Sequence, residues 1–245
     1  TIYCWIVGII PALLTLKVSS DLSSALVIMA ITFGLTFIFN RTKKMHIVVL
    51  LTAVGLIAGY ILHIKSNLPD SAQIDDYSYR IARIVAWLYP DRYSDDAYQS
   101  QTALYSIGSG GFWGVGLGRM YVNIPEGQTD FIFVLLTHQL GIFGGICLIL
   151  CYVYLLFQIL KIALNACSLY ETILVIGILI HIATQVVVNM GVCTSLLPNT
   201  GLPLVLMSYG GSSILTSFAE LAICVSVSKK SVVKVSKKIA KEELG

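Results

Sequence analysis

Apolar residues fall into six long runs, separated by short polar connections and by one long one. The runs lie at about 2–16, 22–39, 46–64, 130–160, 171–190 and 208–228. A helix needs roughly 20 mostly apolar residues to cross the hydrocarbon of a bilayer, and every run except the first is close to that length or longer. The pattern predicts an all-α fold, a polytopic bundle of membrane-spanning helices.

Composition supports a membrane environment. Hydrophobic residues make up 56% of the 245 residues and charged residues only 12%, a balance that would not keep a soluble chain in solution. The formal net charge of +3 is small, and the basic residues cluster at a few points. The sequence therefore predicts contact with membrane lipids and no nucleic-acid partner.

Basic connections indicate the orientation. Residues 41–44 carry three basic side chains, Lys161 lies in the next connection on the same side, and six lysines follow between 229 and 245. Positively charged connections stay in the cytoplasm. We therefore expect a membrane domain over 1–228, followed by a basic cytoplasmic tail over 229–245.

The same rule places the long connection at 65–129 outside the cell. Its aromatic residues are interleaved with charges, which is typical of segments at the level of the lipid headgroups. Residues 97–107 are predicted to form an interfacial helix. The six glycines between 108 and 118 are predicted to interrupt regular structure and to allow close backbone approach. The expected fold is thus a bundle with a long extracytoplasmic loop that carries interfacial helices.

Two carboxylates, Glu126 and Asp130, stand four residues apart where this loop enters the fourth apolar run. A carboxylate in low-dielectric surroundings gains proton affinity, which would suit Asp130 as a general base. The simpler interpretation is that Asp130 is the N-cap of the helix that follows. The two roles are compatible.

Polar residues inside the apolar runs are further candidates for a site. Gln185 and Asn189 share one helical face and are expected to face the bundle interior, where bonding between helices is the alternative to ligand contact. Glu220 needs a partner or a hydrated cavity. His181 is interpreted as a core histidine whose hydrogen bonds are satisfied.

The connection that spans 196–213 is too apolar for an ordinary exposed loop. Non-helical backbone at membrane depth is tolerated where protein buries it or where it lines a cavity. The segment is therefore predicted to line a site or to be a plain structural hairpin.

Three motifs together resemble one protein family. GSGGFWGVGLG at 108–118, IPEGQTDFIF at 124–133 and NMGVCTSLLPNTGLPLVLMSYGGSS at 189–213 resemble the SEDS family of division, elongation and sporulation proteins. Members have ten membrane helices, and the six runs resemble the fifth to the tenth. The chain is therefore expected to be a fragment or one half of a split protein.

The resemblance implies an activity and partners. Family members are peptidoglycan glycosyltransferases that polymerise lipid II at the outer face of the bacterial cytoplasmic membrane, together with a class B penicillin-binding protein. Asp130 matches the aspartate that is regarded as catalytic in the family. A divalent cation, Mg²⁺ or Mn²⁺, is the cofactor to consider, and no metal site built from protein side chains is predicted.

The resemblance also implies a set of substrate-binding residues at the outer mouth. Basic side chains would offset the charge of the pyrophosphate leaving group, and the glycines would let the backbone approach the substrate. The set is Arg80, Arg83, Glu126, Thr129, Asn189, Ser208, Tyr209, Gly210 and Gly211.

Departures from the family pattern keep two other functions open. Members usually have two glutamates where this chain has His138 and Gln139. One alternative is a lipid II flippase, which would also need polar residues inside a bundle but would not need Asp130 as a base. The other is a catalytically inactive scaffold that holds the penicillin-binding protein.

Overall fold

The computed structural model describes residues 2–19, 22–40, 43–66, 79–119, 124 and 127–242. Within these ranges every regular element is a helix, which confirms the all-α prediction. The elements are α1 (Ile2–Leu14) with a π-helical continuation (Thr15–Ser19), α2 (Leu22–Phe39), α3 (Lys43–Ser66), α4 (Tyr79–Leu88), α5 (Ser94–Gly110), α6 (Ile132–Leu164), α7 (Leu169–Cys193) and α8 (Gly211–Glu242).

All six apolar runs form helices. Large apolar side chains such as Leu51, Leu150 and Phe157 lie exposed on α3 and α6, as expected of surfaces that face lipid. The first two runs form shorter apolar helices. Four of the described helices are long and apolar enough to cross a membrane: Lys43–Ser66, Ile132–Leu164, Leu169–Cys193 and Gly211–Val232.

The core lies where α6 and α7 pack against each other, with α2 on the other side of α7 and α5 against α6. Val134, Val175 and Ile182 are buried at its centre. A second, smaller cluster around Val85 joins the end of α3 to α4 and α5. Helices α4 and α5, which belong to the connection predicted to lie outside, are therefore packed onto one end of the bundle.

Helix α6 is interrupted at Gly141, whose backbone has φ 73° and ψ −176°. The loop that follows α5 enters this break and restores the backbone hydrogen bonds that the helix loses there. The amides of Val115 and Gly116 donate to the carbonyls of His138 and Gln139, and the amides of Ile142 and Phe143 donate to the carbonyls of Gly111 and Phe112.

Two glycines make this insertion possible. A Cβ atom on Gly114 would lie 2.1 Å from the carbonyl oxygen of Gln139, and one on Gly141 would lie 2.2 Å from that of Phe112. The two backbones can approach this closely because Gly114 on one and Gly141 on the other carry no side chain at the point of contact. The prediction that the glycine run allows close backbone approach is confirmed, and the partner is the protein's own helix α6.

Helix α8 continues through the predicted boundary at 228 and ends at Glu242. Residues 212–242 contain no glycine or proline that would end it earlier. The predicted start of the tail therefore does not coincide with the end of a helix. Close to the cytoplasmic end of the span, Lys230 forms an ion pair with Glu171 of α7.

Candidate functional site

Asp130 lies half-buried immediately before α6, at the end of the bundle that the basic connections place outside. The N-cap of α6 is Phe131, which makes no side-chain capping hydrogen bond. The interpretation of Asp130 as an N-cap is wrong, because the helix begins one residue later than the sequence indicated. Asp130 therefore lies one residue before the N-cap position.

The side chain of Asn189 fixes the backbone at Asp130. Its Nδ2 atom lies 2.7 Å from the carbonyl oxygen of Asp130 and 2.7 Å from that of Leu202, so it donates to both. Asn189 itself is fully buried. This side-chain amide joins the start of α6 to the connection between α7 and α8. The two alternatives for Asn189 were ligand contact and hydrogen bonding within the bundle, and the geometry shows the second.

The start of α8 is attached to the same segment. The Ser208 hydroxyl donates to the carbonyl of Thr129 and accepts the amide of Leu204 at 2.6 Å. The amide of Tyr209 donates to the carbonyl of Gln128 at 2.9 Å. Ser208 is buried and bonded on both sides, whereas the Tyr209 side chain is largely exposed at the outer surface.

Residues 194–210, called here the α7–α8 loop, fold into the outer end of the bundle. Leu202, Leu204 and Val205 are buried in the core. Backbone carbonyls in such a position need hydrogen-bond donors, and side chains from four helices supply them. The donors are Trp87 Nε1 to Ser195, Arg83 to Asn199, Ser23 to Thr200, Asn189 to Leu202 and Tyr152 to Val205.

Gly201 is the point at which the loop meets the candidate catalytic residue. A Cβ atom on Gly201 would lie 3.3 Å from Asp130 Oδ2 and 3.9 Å from a terminal nitrogen of Arg83. A carboxylate and a guanidinium therefore lie beside the same open position in the backbone. The φ of Gly201 is +70°, a conformation that residues with a side chain rarely adopt.

Arg83 is held in place by the loop. Its guanidinium donates to the carbonyl of Asn199 at 3.2 Å, while the Asn199 side chain donates to Gln99 Oε1 of α5 at 2.8 Å and accepts the amide of Gly201 at 3.3 Å. The sequence analysis missed Asn199, Gln99 and Gly201. The glycine gave a turn signal, but the carboxylate that lies beside it comes from a distant part of the chain.

The structure places some of the other predicted site residues near Asp130 and leaves two of them undescribed. Gly210 and Gly211 lie beside Ser208 and Tyr209, where α8 begins. Glu126 and the side chain of Arg80 lie outside the described residues. The structure thus brings Asp130, Arg83, Thr129, Asn189 and Ser208 together around one segment.

His138, which replaces a glutamate of the family pattern, lies buried against α5. Its Nδ1 atom is 2.9 Å from the carbonyl oxygen of Ser106, so it acts as the donor in that contact, and 3.3 Å from the hydroxyl of Ser109. The neighbouring Gln139 accepts the amide of Gly118 at 3.4 Å. The His138 side chain therefore joins α6 to α5, and that of Gln139 contacts the loop inserted into α6.

Within the described ranges no three His, Cys, Asp or Glu side chains are grouped so that they could hold a metal ion. Near Gly201 the protein offers one described carboxylate, that of Asp130, together with backbone carbonyls. Mg²⁺ is commonly bound through one or two carboxylates and substrate phosphates. The described residues thus form no metal site by themselves, and they would fit an ion only where a phosphate-containing ligand supplied most of its oxygen atoms.

Comparison with known proteins identifies the family. The family of FtsW, RodA and SpoVE, described as cell cycle proteins, matches residues 1–232. The chain belongs to this family. It is 40% identical over 157 residues to stage V sporulation protein E of Bacillus subtilis, an alignment that covers 62% of this chain and 43% of that protein.

Other relatives carry a name that describes a reaction. The chain is 35% identical over 229 residues to a probable peptidoglycan glycosyltransferase FtsW of Thioalkalivibrio sulfidiphilus, which covers 90% of this chain and 54% of the relative. A protein of the same name from Francisella salina is also 35% identical, with 91% and 53% covered. The chain spans about half the length of the curated relatives it matches.

Solved structures agree with the fold. One chain, from work described as "Structural coordination of polymerization and crosslinking by a peptidoglycan synthase complex", matches with a TM-score of 0.67 and 29% identity over 90% of this chain and 61% of that one. A mutant of the rod shape determining protein RodA of Thermus thermophilus matches with a TM-score of 0.57, 24% identity and 94% and 58% coverage. The protein is a multi-pass protein of the bacterial cytoplasmic membrane.

Proposed function

We propose that this chain is the catalytic part of a peptidoglycan glycosyltransferase that polymerises lipid II, with Asp130 as the general base. The observation that carries the proposal is the position of the Asp130 carboxylate. It lies half-buried at the outer end of the bundle, beside the open position over Gly201, with the Arg83 guanidinium close by. The names of the relatives support the same reaction.

The chemistry needs a base at the membrane surface. Lipid II carries its sugars outside on a pyrophosphate, while its polyprenyl tail remains in the bilayer. The Asp130 carboxylate accepts the proton of the acceptor sugar's 4-hydroxyl as that oxygen forms a bond to the anomeric carbon of the donor. The bond from that carbon to the pyrophosphate oxygen breaks, and polyprenyl pyrophosphate leaves.

Arg83 serves the leaving group. Negative charge develops on the pyrophosphate as it departs, and a cation fixed beforehand stabilises that charge without reorganising. The bond from Arg83 to the carbonyl of Asn199 fixes the guanidinium beside Gly201. Mg²⁺ or Mn²⁺, when bound, would add positive charge at the same phosphates.

A class B penicillin-binding protein is the proposed partner. The solved complex that this chain resembles is described by its coordination of polymerization and crosslinking. Crosslinking acts on the glycan strand that polymerisation produces. The product of one activity is thus the substrate of the other, and both belong on the same face of the membrane.

The test is lipid II polymerisation by the complete protein purified with its partner, comparing wild type with Asp130→Asn. This change keeps the shape of the side chain and removes its basicity, so polymer formation should fall to background. The matched control is Asp91→Asn, an exposed carboxylate on the turn between α4 and α5, which should polymerise normally. Full activity of Asp130→Asn would refute the proposal, and lipid II translocation without any polymer from wild type would favour the flippase.

A further inference from the structure

A polar contact between two side chains connects α7 and α8 inside the membrane-spanning part of the bundle. His181 Nδ1 lies 2.5 Å from Glu220 Oε1, and each side chain is less than one-fifth exposed. A carboxylate at this depth is costly unless it has a partner, and His181 provides one. The pairing explains how the chain tolerates Glu220, but not what the two polar residues contribute.

Cavities lie on both sides of this pair. One, of about 520 Å³, extends between α2 and α7 and is also lined by Glu220. The other, of about 210 Å³, lies under Pro203 and Val205 of the α7–α8 loop and reaches the first turns of α8. His181 and Gln185 line both cavities. Open space thus lies beside the contact, and the apolar packing of α8 at Leu221 and Cys224 is supplemented there by the bond between His181 and Glu220.

Helix α8 connects Glu220 to the candidate site. About three turns separate Glu220 from the start of the helix, and the chain runs without interruption from there into Ser208 and Tyr209. Those two residues bond the carbonyls of Thr129 and Gln128. A displacement of α8 from α7 would therefore pull on the backbone that leads directly into Asp130.

We infer that His181 and Glu220 are positioning residues for the glycosyl transfer. The contact between their side chains fixes α8 on α7, which holds Ser208 and Tyr209 on the segment before Asp130 and so sets the place of the carboxylate. This inference rests on the proposed function. The same two helices are also joined by the ion pair of Glu171 with Lys230, which lies at the other end of the span and serves as an internal comparison.

The decisive variant replaces both partners, His181→Leu with Glu220→Leu. A single substitution would leave one polar group in the membrane without its partner, whereas the double substitution removes both polar groups and keeps apolar volume, so the melting temperature should stay at or above that of wild type. With the complete protein and its partner, kcat for lipid II polymerisation should fall at least about tenfold while KM changes less than about threefold, because positioning errors of about 1 Å are costly in rate. Exchange of the Tyr209 amide hydrogen should become faster.

Two further variants complete the test. Glu171→Leu with Lys230→Leu removes the cytoplasmic pair and should leave both kcat and Tyr209 exchange at wild-type values. The exchanged pair, His181→Glu with Glu220→His, should retain at least half of the wild-type kcat.

Two results would overturn the inference: wild-type kcat and Tyr209 exchange in the double leucine variant, or loss of activity in the exchanged pair when it folds. If wild type itself made no polymer, the proposed function would fail. Hydrogen exchange at the Tyr209 amide in the double leucine variant would still decide whether the contact between His181 and Glu220 holds the segment before Asp130.

Discussion

The side-chain nitrogen Nδ2 of Asn189 lies 2.7 Å from the backbone carbonyl oxygen of Asp130, 59 positions away in the sequence. The same nitrogen bonds the carbonyl of Leu202, so one buried side chain on α7 connects that helix to the start of α6 and to the α7–α8 loop. The candidate base is thus placed by its backbone, while its carboxylate remains turned toward Gly201.

Replacing Asn189 with leucine should abolish the proposed activity without preventing insertion into the membrane. The carbonyls of Leu202 and Asp130 would lose their amide donor, which leaves that of Asp130 only the weak contact with Cys193 Sγ at 3.7 Å. The cost of a buried carbonyl without its donor is about 1–3 kcal/mol, and the segment that carries Asp130 would be released. Polymerisation of lipid II should fall more than about tenfold. The control is Asn165→Leu, the same exchange at an exposed asparagine, which removes a local bond to the carbonyl of Lys161 at the far end of α6 and should leave the rate unchanged. Equal rates for the two variants would contradict this role of Asn189.

A methyl group on Gly201 should reduce activity through direct approach to the base. In Gly201→Ala the new Cβ would lie 3.3 Å from Asp130 Oδ2, and the positive φ would add strain. Gly118→Ala separates the two effects, since Gly118 also has a positive φ but has no neighbouring atom within 4 Å. We expect both variants to melt at a lower temperature and only Gly201→Ala to lose most of its kcat. Similar kcat values would show that strain alone matters.

Substitution at the break in α6 should destabilise the fold. Gly141→Ala would be disfavoured by about 1–3 kcal/mol from its backbone conformation, and its Cβ would overlap the carbonyl of Phe112. Thermal melting of the detergent-solubilised protein measures the effect. Gly108→Ala provides the comparison because a Cβ there meets open space within helix α5, where alanine is preferred. A melting temperature for Gly141→Ala equal to that of Gly108→Ala would argue against the insertion of the loop.

Arg83→Gln tests the cation beside Gly201. Loss of a fixed positive charge near a departing phosphate should lower kcat, by about a hundredfold if Arg83 contributes as a single preorganised donor does elsewhere. Arg92→Gln, on the exposed turn that follows α4, removes the same charge away from the site and should retain the wild-type rate. Steady-state kinetics with lipid II measures both. An unchanged kcat for Arg83→Gln would remove Arg83 from the mechanism.

The sequence allowed prediction of those features that depend on local pattern. Apolar runs of sufficient length predicted the helices, and the glycines near 114 indicated close backbone approach. The orientation derived from the basic connections stays a prediction. Asp130 was singled out by its place where the long connection enters an apolar run and by the family resemblance. Each of these signals lies within a few residues of the feature it describes.

Pairings between distant residues could not be predicted in this way. The sequence indicated that Glu220 needs a partner. The identity of that partner, His181, depends on how α7 and α8 pack, because the two residues are 39 positions apart. Likewise, Gly141 lies inside an apolar run that looks continuous, and its break became evident only with the loop inserted beside it. The N-cap assignment of Asp130 was wrong for a local reason, since the boundary differed by one residue.

The interruption at Gly141 divides α6 into a short part, which starts just after Asp130, and a long part that crosses the membrane. The loop from α5 is bonded to both sides of the break, so it splints the two parts together. The direction in which the short part leaves the long one is therefore set by the position of α5. The candidate base thus depends for its orientation on a helix that does not itself cross the membrane.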